Sequence, residues 1–141
     1  YGPFMAAEET RIREQIDVNI TALTLLTHEF LSRALATAAH PAGVLNVSSL
    51  AGEAPLPDLA VYAASKAYVT SFSESLAMEL RPQGITVTAL CPGPVPTEFF
   101  EVATRPGDED RANNFKTCPA LEASPFEAVR AGLERHQQQE T

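Results

Sequence analysis

The sequence predicts an α/β fold with a parallel sheet, because helical and strand patterns alternate along it. Two short apolar segments, 43–49 and 85–91, are rich in β-branched residues, which is typical of buried parallel strands. A helical pattern with apolar residues at intervals of three and four precedes each segment. The apolar fraction of 45% is sufficient for a packed core. We therefore expect the order helix, strand, helix, strand.

The first helical pattern covers residues 7–39. Asp17, Val18 and Asn19 interrupt its apolar periodicity. Asn is unfavourable inside a helix because its amide competes for backbone hydrogen bonds. The sequence thus predicts a kink, or two abutting helices, near Asn19.

The second helical pattern covers residues 59–80, with Asp58 as its predicted cap and with Pro82 and Gly84 after its end. The strand at 85–91 opens into a proline-rich loop over 92–96. A last helix is predicted from Ser124, because Pro125 suits a first helical turn.

Two strands are fewer than the roughly five or six of a typical sheet, and an isolated pair leaves its edges unpaired. We therefore expect the chain to be the second half of a larger domain. In this division, residues 1–100 form the core catalytic half, 101–123 a substrate-loop region, and 124–141 a terminal helix and tail.

Charge and composition exclude several classes of protein. The net charge is −8, with ten Lys and Arg against eighteen Asp and Glu, so a nucleic-acid partner is not expected. No apolar run approaches the roughly 20 residues of a membrane span. Cys91 and Cys118 lack metal-ligand spacing, and the three His are scattered, so no metal is expected and both thiols are predicted to be reduced. A secretory signal is not recognisable, which favours the cytoplasm.

Tyr62 and Lys66 stand four residues apart, which places them on one helix face. An ammonium near a phenol favours the phenolate, so we expect the pKa of Tyr62 to fall and the phenol to serve as an acid or base near neutrality. The spacing alone is weak, since chance gives it at about 4%. A half-buried Tyr with Lys extended across it is the alternative.

Three further features join this pair. Ser49 ends the strand that leads to the helix, where ligands bind in open α/β sheets, although a capping role is the alternative. Asn19 either caps the backbone locally or holds a water that connects to Lys66. Pro92 and Gly93 allow a ligand to approach the main chain closely, although the loop also fits a simple stiff turn.

In combination, these residues resemble the short-chain dehydrogenase/reductase superfamily of the classical type. The resemblance rests on Asn19, LNVSSLAG over 45–52, YAASK over 62–66 and PGPVPT over 92–97, in that order. It covers about residues 1–100, and the conjunction is highly specific. The fold it implies is a partial Rossmann-like, doubly wound parallel sheet, of which this chain would hold the catalytic half.

The resemblance also implies roles for individual residues. Tyr62 would be the general acid/base. Lys66 would lower the pKa of Tyr62 and bind the nicotinamide ribose. Ser49 would orient and polarise the substrate carbonyl, and Asn19 would hold the relay water. The catalytic set is thus Asn19, Ser49, Tyr62 and Lys66.

The cofactor implied by the resemblance is NADP or NAD, with NADP slightly favoured. Besides Tyr62 and Lys66, the implied contacts are Pro92, Gly93 and Val95 beside the nicotinamide and Thr97 at its carboxamide. The implied substrate is a small carbonyl or alcohol, to or from which hydride passes without a metal. The implied assembly is a homo-oligomer through the two long helices.

The chain departs from the family pattern in one large respect. The Gly-rich TGxxxGxG turn is missing, because no three of the seven glycines have that spacing. We therefore expect an internal piece of a dehydrogenase with little activity as an isolated chain. The alternative is a truncated, non-catalytic protein that serves as an association or scaffold module.

Overall fold

The computed structural model of the chain describes residues 1–37, 42–94, 103–104, 130 and 134. Within these residues, helices and strands alternate as the sequence predicts. The main elements are α1 Glu9–Ile16, α2 Leu23–Thr37, β1 Ala42–Val47, α3 Ala60–Leu80 and β2 Ile85–Leu90. A π-helical turn, Asp17–Ala22, joins α1 to α2. Short 3₁₀ helices lie at Phe4–Ala6, Leu50–Gly52 and Arg81–Gln83.

The sheet consists of β1 and β2, which pair in parallel and in register from Ala42 opposite Ile85 to Val47 opposite Leu90. The helix α3 connects them and packs on β2. Because the strands are parallel, both carboxyl ends lie at one edge, where the loops that carry Ser49 and Pro92 begin. The predicted α/β class with a parallel sheet is confirmed.

A small apolar core holds the helices to the sheet. Leu31 of α2 lies with Ile85 and Val87 of β2 in one buried cluster. The half-buried residues packed against it are Ala42, Val44, Leu76, Ala77 and Leu80. On α3 the fully buried Val69 is flanked one turn away on each side by Ser65 and Ser73. These two buried hydroxyls require hydrogen-bond partners, and both have them.

The predicted irregularity near Asn19 is present. The chain stays helical there and widens into the π-helical turn Asp17–Ala22, which separates α1 from α2. Ile16 and Leu23, on either side, keep right-handed helical dihedrals. A π-helical turn bulges one residue out of the regular ladder, and such turns are frequent at functional sites.

The start and end of α3 differ in how well the sequence predicted them. Asp58 is not the cap: Leu59 occupies that position, and no side chain caps the helix. Asp58 instead adopts a left-handed conformation with φ of 64°, and its carbonyl accepts a hydrogen bond from Gly2 N at 2.9 Å. The predicted end is confirmed, since α3 finishes at Leu80 and Gly84 has φ of 71°.

Several predictions concern residues outside the described ranges. Of the predicted terminal helix and tail at 124–141, the structure describes Arg130 and Glu134, whose side chains lie 3.8 Å apart. The substrate-loop region at 101–123 is described only at residues 103 and 104. The division into 1–100, 101–123 and 124–141 therefore stays a prediction. Among the helices of the described ranges, none combines the length and apolarity of a membrane span.

Candidate functional site

Ser49 and Tyr62 meet at the carboxyl end of β1. The Ser49 Oγ accepts a hydrogen bond from Ala51 N at 3.1 Å and so caps the 3₁₀ helix Leu50–Gly52. The same side chain is hydrogen-bonded to Tyr62. A hydroxyl can accept one hydrogen bond while donating another, so the two interactions are compatible. The capping role and the site role of Ser49 therefore coexist.

Lys66 follows Tyr62 by one turn of α3, as the spacing predicts. Its Nζ lies 5.7 Å from the centroid of the Tyr62 ring. The ammonium donates a hydrogen bond to the carbonyl of Val47 at 2.9 Å, at the last residue of β1. The structure thus brings Ser49, Tyr62 and Lys66 to one edge of the sheet.

The expected fall in the pKa of Tyr62 is wrong for this structure. Burial raises the pKa of Tyr62 above its ordinary 10.0, and the hydrogen bond with Ser49 offsets only part of that rise. Burial likewise lowers the pKa of Lys66 below 10.5, against a smaller opposing effect of Cys91. For both half-buried groups, the loss of water outweighs the opposing interaction, which is the Ser49 hydrogen bond for Tyr62 and the effect of Cys91 for Lys66. The Lys66 ammonium is directed to the Val47 carbonyl.

Asn19 lies in the π-helical turn and is connected to α3 through Ser65. Its Nδ2 donates to Ser65 Oγ at 2.9 Å, and Ser65 Oγ in turn donates to the Tyr62 carbonyl at 2.8 Å. The partner of the amide is therefore the main chain of α3 at Tyr62, reached through one hydroxyl. The expected water between Asn19 and Lys66 stays a prediction.

The loop after β2 lies against the loop that carries Ser49. The Pro92 carbonyl accepts a hydrogen bond from Leu50 N at 3.0 Å, and the Leu90 carbonyl accepts one from Ser48 N at 2.7 Å. Pro92 and Gly93 are half-buried at this edge. Val95 and Thr97, the other expected cofactor contacts, lie outside the described residues.

A cavity of about 440 Å³ opens beside Tyr62. Asn19 and Tyr62 are among its lining residues, together with Ile12, Val18, Leu59 and Val61. Ser49, Lys66, Pro92 and Gly93 do not line it, so this cavity lies apart from the edge where Ser49 and Lys66 approach Tyr62. Across the described part of the chain, no group of three or more metal-ligating side chains is present.

Two buried hydroxyls, of Ser48 and Ser65, and the half-buried hydroxyl of Thr70 connect the site to α3, and the sequence did not predict them. Ser48, Ser65 and Thr70 make hydrogen bonds with α3 or with one another around Lys66 and Tyr62. A partial signal existed for Ser65, because Ser65, Val69 and Ser73 repeat every four residues on one face of α3. No sequence pattern pointed to Ser48 or Thr70, since their hydrogen bond depends on how α3 packs against the end of β1.

A family model described as short chain dehydrogenase matches residues 1–106. The chain belongs to this family. The match covers the described site and most of the fold, which accounts for the shared spacing of Ser49, Tyr62 and Lys66. The Rossmann-type fold expected from the resemblance is confirmed as well, because solved short-chain dehydrogenases superpose on this chain.

Individual short-chain dehydrogenases are similar over the same region. Sulfoacetaldehyde reductase from Chromohalobacter salexigens is 44% identical over 89 residues, covering 63% of this chain and 35% of the reductase. The 3-oxoacyl-[acyl-carrier-protein] reductase FabG from Haemophilus influenzae is 36% identical over 110 residues, covering 76% of this chain and 43% of the reductase. The chain thus spans less than half the length of these relatives.

Two solved structures extend the similarity to the fold. A short-chain dehydrogenase from Sphingobium yanoikuyae, in complex with NADPH, has a TM-score of 0.79 and 29% identity, covering 98% of this chain and 50% of that one. The closed form of serine dehydrogenase, complexed with NADP⁺, has a TM-score of 0.78 and 28% identity, and the match covers 92% of this chain and 51% of that one. The fold therefore matches short-chain dehydrogenases that were solved with nicotinamide dinucleotides.

Proposed function

We propose that the complete protein containing this chain is an NAD(P)-dependent oxidoreductase that moves hydride between nicotinamide and a carbonyl or alcohol carbon. The observation that carries the proposal is the meeting of Ser49, Tyr62 and Lys66 at the carboxyl edge of a parallel sheet, in a chain of this family. Ligands of open α/β sheets bind at that edge.

The donor set of the described residues fits the nicotinamide half of such a cofactor. The Lys66 ammonium and the Tyr62 hydroxyl are the groups that would hold the ribose, and the Pro92 and Gly93 main chain would lie beside the ring. Val95 and Thr97 are proposed as further contacts. When bound, the dinucleotide supplies the hydride for reduction or accepts it for oxidation. Similar structures solved with NADPH, NADP⁺ and NADH support a nicotinamide cofactor of either kind. NADP stays slightly favoured on the sequence resemblance alone.

The chain's own residues would transfer the proton and bind the substrate oxygen. Tyr62 gives its proton to the carbonyl oxygen in reduction and takes the alcohol proton in oxidation. The Ser49 hydroxyl donates a hydrogen bond to the same oxygen, which polarises the carbonyl. Lys66 supplies the positive charge that offsets the raised pKa of Tyr62 when its ammonium turns from Val47 toward the phenol. Asn19 is proposed to hold a water on the path that returns a proton.

Small aldehydes and ketones are the substrate class that we propose. The relatives that share this region include a sulfoacetaldehyde reductase and a 3-oxoacyl-[acyl-carrier-protein] reductase, both of which act on carbonyl compounds. Sulfoacetaldehyde and a short 3-oxoacyl thioester are therefore the first compounds to assay.

The test compares the complete protein with the isolated 141-residue chain. We expect the complete protein to oxidise NADPH when a carbonyl substrate is added. We expect little or no turnover from the isolated chain, because it lacks a Gly-rich turn to position the cofactor phosphates. Absorbance at the nicotinamide band follows both reactions. No turnover by the complete protein with any carbonyl would contradict the proposal. Turnover by the isolated chain would contradict the expected need for a Gly-rich turn.

An association role is the second candidate, and one surface favours it. Val18, Leu26 and Phe30 form an exposed stripe at intervals of four or eight residues across the π-helical turn and α2, with exposed fractions of 67%, 71% and 47%. Apolar stripes of this kind mark protein contacts. We propose that a second copy of the chain covers this stripe, giving a homo-oligomer with or without catalysis.

Sedimentation tests the association. We expect Leu26→Glu with Phe30→Glu to raise the dissociation constant of the oligomer by about tenfold or more, because buried apolar anchors dominate such contacts. Met5→Glu is the matched control, since Met5 is 91% exposed and lies outside the stripe. A monomeric parent chain, or an equal effect of the control, would rule out this surface.

A further inference from the structure

Three consecutive residues at the end of β1 each bind a different part of the Tyr62–Lys66 pair. The carbonyl of Val47 accepts a hydrogen bond from Lys66 Nζ at 2.9 Å. The hydroxyl of Ser48 donates to the main-chain carbonyl of Lys66 at 2.8 Å. The side chain of Ser49 is hydrogen-bonded to Tyr62. Lys66 is therefore held at both its ammonium and its main chain by neighbouring residues.

The Ser48 hydroxyl lies at the end of a series of hydrogen-bonded groups. Ser48 is 2% exposed, and its Oγ lies 2.7 Å from Thr70 Oγ1. Since Ser48 donates its single proton to the Lys66 carbonyl, the single proton of Thr70 goes either to Ser48 Oγ or to the same carbonyl. Thr70 Oγ1 in turn lies 3.7 Å from Cys91 Sγ, so the thiol is the donor of that contact. Thr70 Oγ1 also lies 3.3 Å from the Lys66 carbonyl, a longer contact than that of Ser48.

The hydrogen bonds among Ser48, Thr70 and Cys91 join the three elements that meet at the site. Ser48 follows β1, Thr70 belongs to α3, and Cys91 follows β2. Their hydrogen bonds lie next to the groups assigned to catalysis, although none of the three is assigned to contact substrate or cofactor. A hydroxyl buried as deeply as that of Ser48 is costly unless all its partners are in place, so the arrangement defines one position of α3 relative to β1.

We propose that Ser48 and Thr70 are positioning residues, which fix the Lys66 main chain against the end of β1 and so keep the Lys66 ammonium and the Ser49 hydroxyl beside Tyr62. The inference deepens the proposed function and rests on it for its catalytic meaning. The geometry itself is a property of the chain without cofactor.

A consequence for Lys66 follows from the same contacts. The Lys66 side chain is half-buried, its ammonium bonds the Val47 carbonyl at an exposed point, and burial lowers the pKa of Lys66. The titratable groups nearest to it are Tyr62 and Cys91. Without the Ser48 and Thr70 bonds, we expect α3 to shift at Lys66 relative to the end of β1, so that the ammonium gains water and its pKa rises toward the ordinary value.

The experiment measures the pKa of Lys66 directly. The ¹³Cε shifts of labelled lysines are followed by NMR against pH in the complete protein, and the Lys66 signal is assigned by its loss in Lys66→Arg. The test variants are Ser48→Ala and Thr70→Val, and Thr70→Ser is the variant that keeps the hydroxyl. Thr70→Val preserves the volume of the side chain, so it remains informative if Ser48→Ala does not fold.

Ser73→Ala is the matched control. Ser73 is 0% exposed, and its Oγ bonds Asn46 of β1 at 2.9 Å, so its loss also removes a buried hydroxyl between α3 and β1. It lies two turns along α3 from Lys66, or about 10 Å. We expect it to lower stability without moving the pKa of Lys66.

The expected result is a higher pKa of Lys66 in Ser48→Ala and Thr70→Val, with the parent value in Thr70→Ser and Ser73→Ala. An unchanged pKa in Ser48→Ala or Thr70→Val, or an equal rise in Ser73→Ala, overturns the proposal. The titration needs neither cofactor nor turnover. Failure of the positioning role is therefore distinguishable from failure of the proposed oxidoreductase activity, which appears only in the NADPH assay.

Discussion

Tyr62→Phe is expected to reduce the turnover of the complete protein by about 10²–10⁴-fold, the usual contribution of a general acid or base. The substitution removes one hydroxyl and leaves the ring in its half-buried place on α3. The hydrogen bond with Ser49 is lost, which costs about 1 kcal/mol of folding free energy. The assay is NADPH oxidation with a carbonyl substrate, accompanied by thermal unfolding.

Tyr68→Phe is the matched control for this prediction. Tyr68 lies on the same helix, its hydroxyl bonds Thr24 at 2.9 Å, and its ring stacks on Phe72 at 5.6 Å. The control therefore loses a hydroxyl with one hydrogen bond, as Tyr62→Phe does, away from Ser49. We expect it to retain turnover. Full activity in Tyr62→Phe, or equal losses in both variants, would refute the role of Tyr62.

Gly52→Ala is expected to have the second large effect, because the added methyl group has no room. Its Cβ would lie 2.7 Å from both Ala67 N and the carbonyl carbon of Lys66. Backbone atoms of a helix cannot yield as a side chain can, so the Ser49 loop must move away from α3. Overpacking of this kind costs about 1–3 kcal/mol of folding free energy. A displacement near 1 Å at the site is also expected to reduce turnover by about 10²-fold.

Gly84→Ala separates the loss of stability from the loss of activity. Gly84 has φ of 71°, and a Cβ there would meet nothing within 4 Å. The variant is strained by its left-handed conformation, at about 1–2 kcal/mol, and lies at the opposite end of α3. Urea unfolding and NADPH oxidation are measured for both. Gly52→Ala with parental turnover, or Gly84→Ala with an equal loss of turnover, would contradict the assignment of a close approach at the site.

The sequence was sufficient for the elements that depend on local pattern. The strands β1 and β2, the helix α3 and its end at Leu80 follow from apolar periodicity and from Pro82 and Gly84. Asp58 was wrongly predicted as a cap, because Asp suits both a cap and a left-handed turn, and its neighbour Gly2 decides between them. That neighbour is distant in sequence.

The sequence likewise predicted some features of the site and not others. The spacing of Ser49, Tyr62 and Lys66 was sufficient to predict that they lie close together, since parallel strands present their carboxyl ends at one edge. The direction of the Tyr62 pKa was predicted wrongly, because desolvation depends on packing that spacing does not report. The hydrogen bonds that link Cys91, Thr70 and Ser48 could not be predicted either, since they depend on how closely α3 approaches both strand ends.

The central claim is hydride transfer between nicotinamide and a substrate carbon, and isotope transfer tests it most directly. The complete protein is supplied with NADPH that carries deuterium at both C4 positions and with a carbonyl substrate, and the product is examined by mass spectrometry. We predict one deuterium on the carbinol carbon for each NADPH oxidised, with Tyr62→Phe slowing the transfer. Deuterium that remains on the cofactor or passes into water, with none on the product carbon, would contradict the claim.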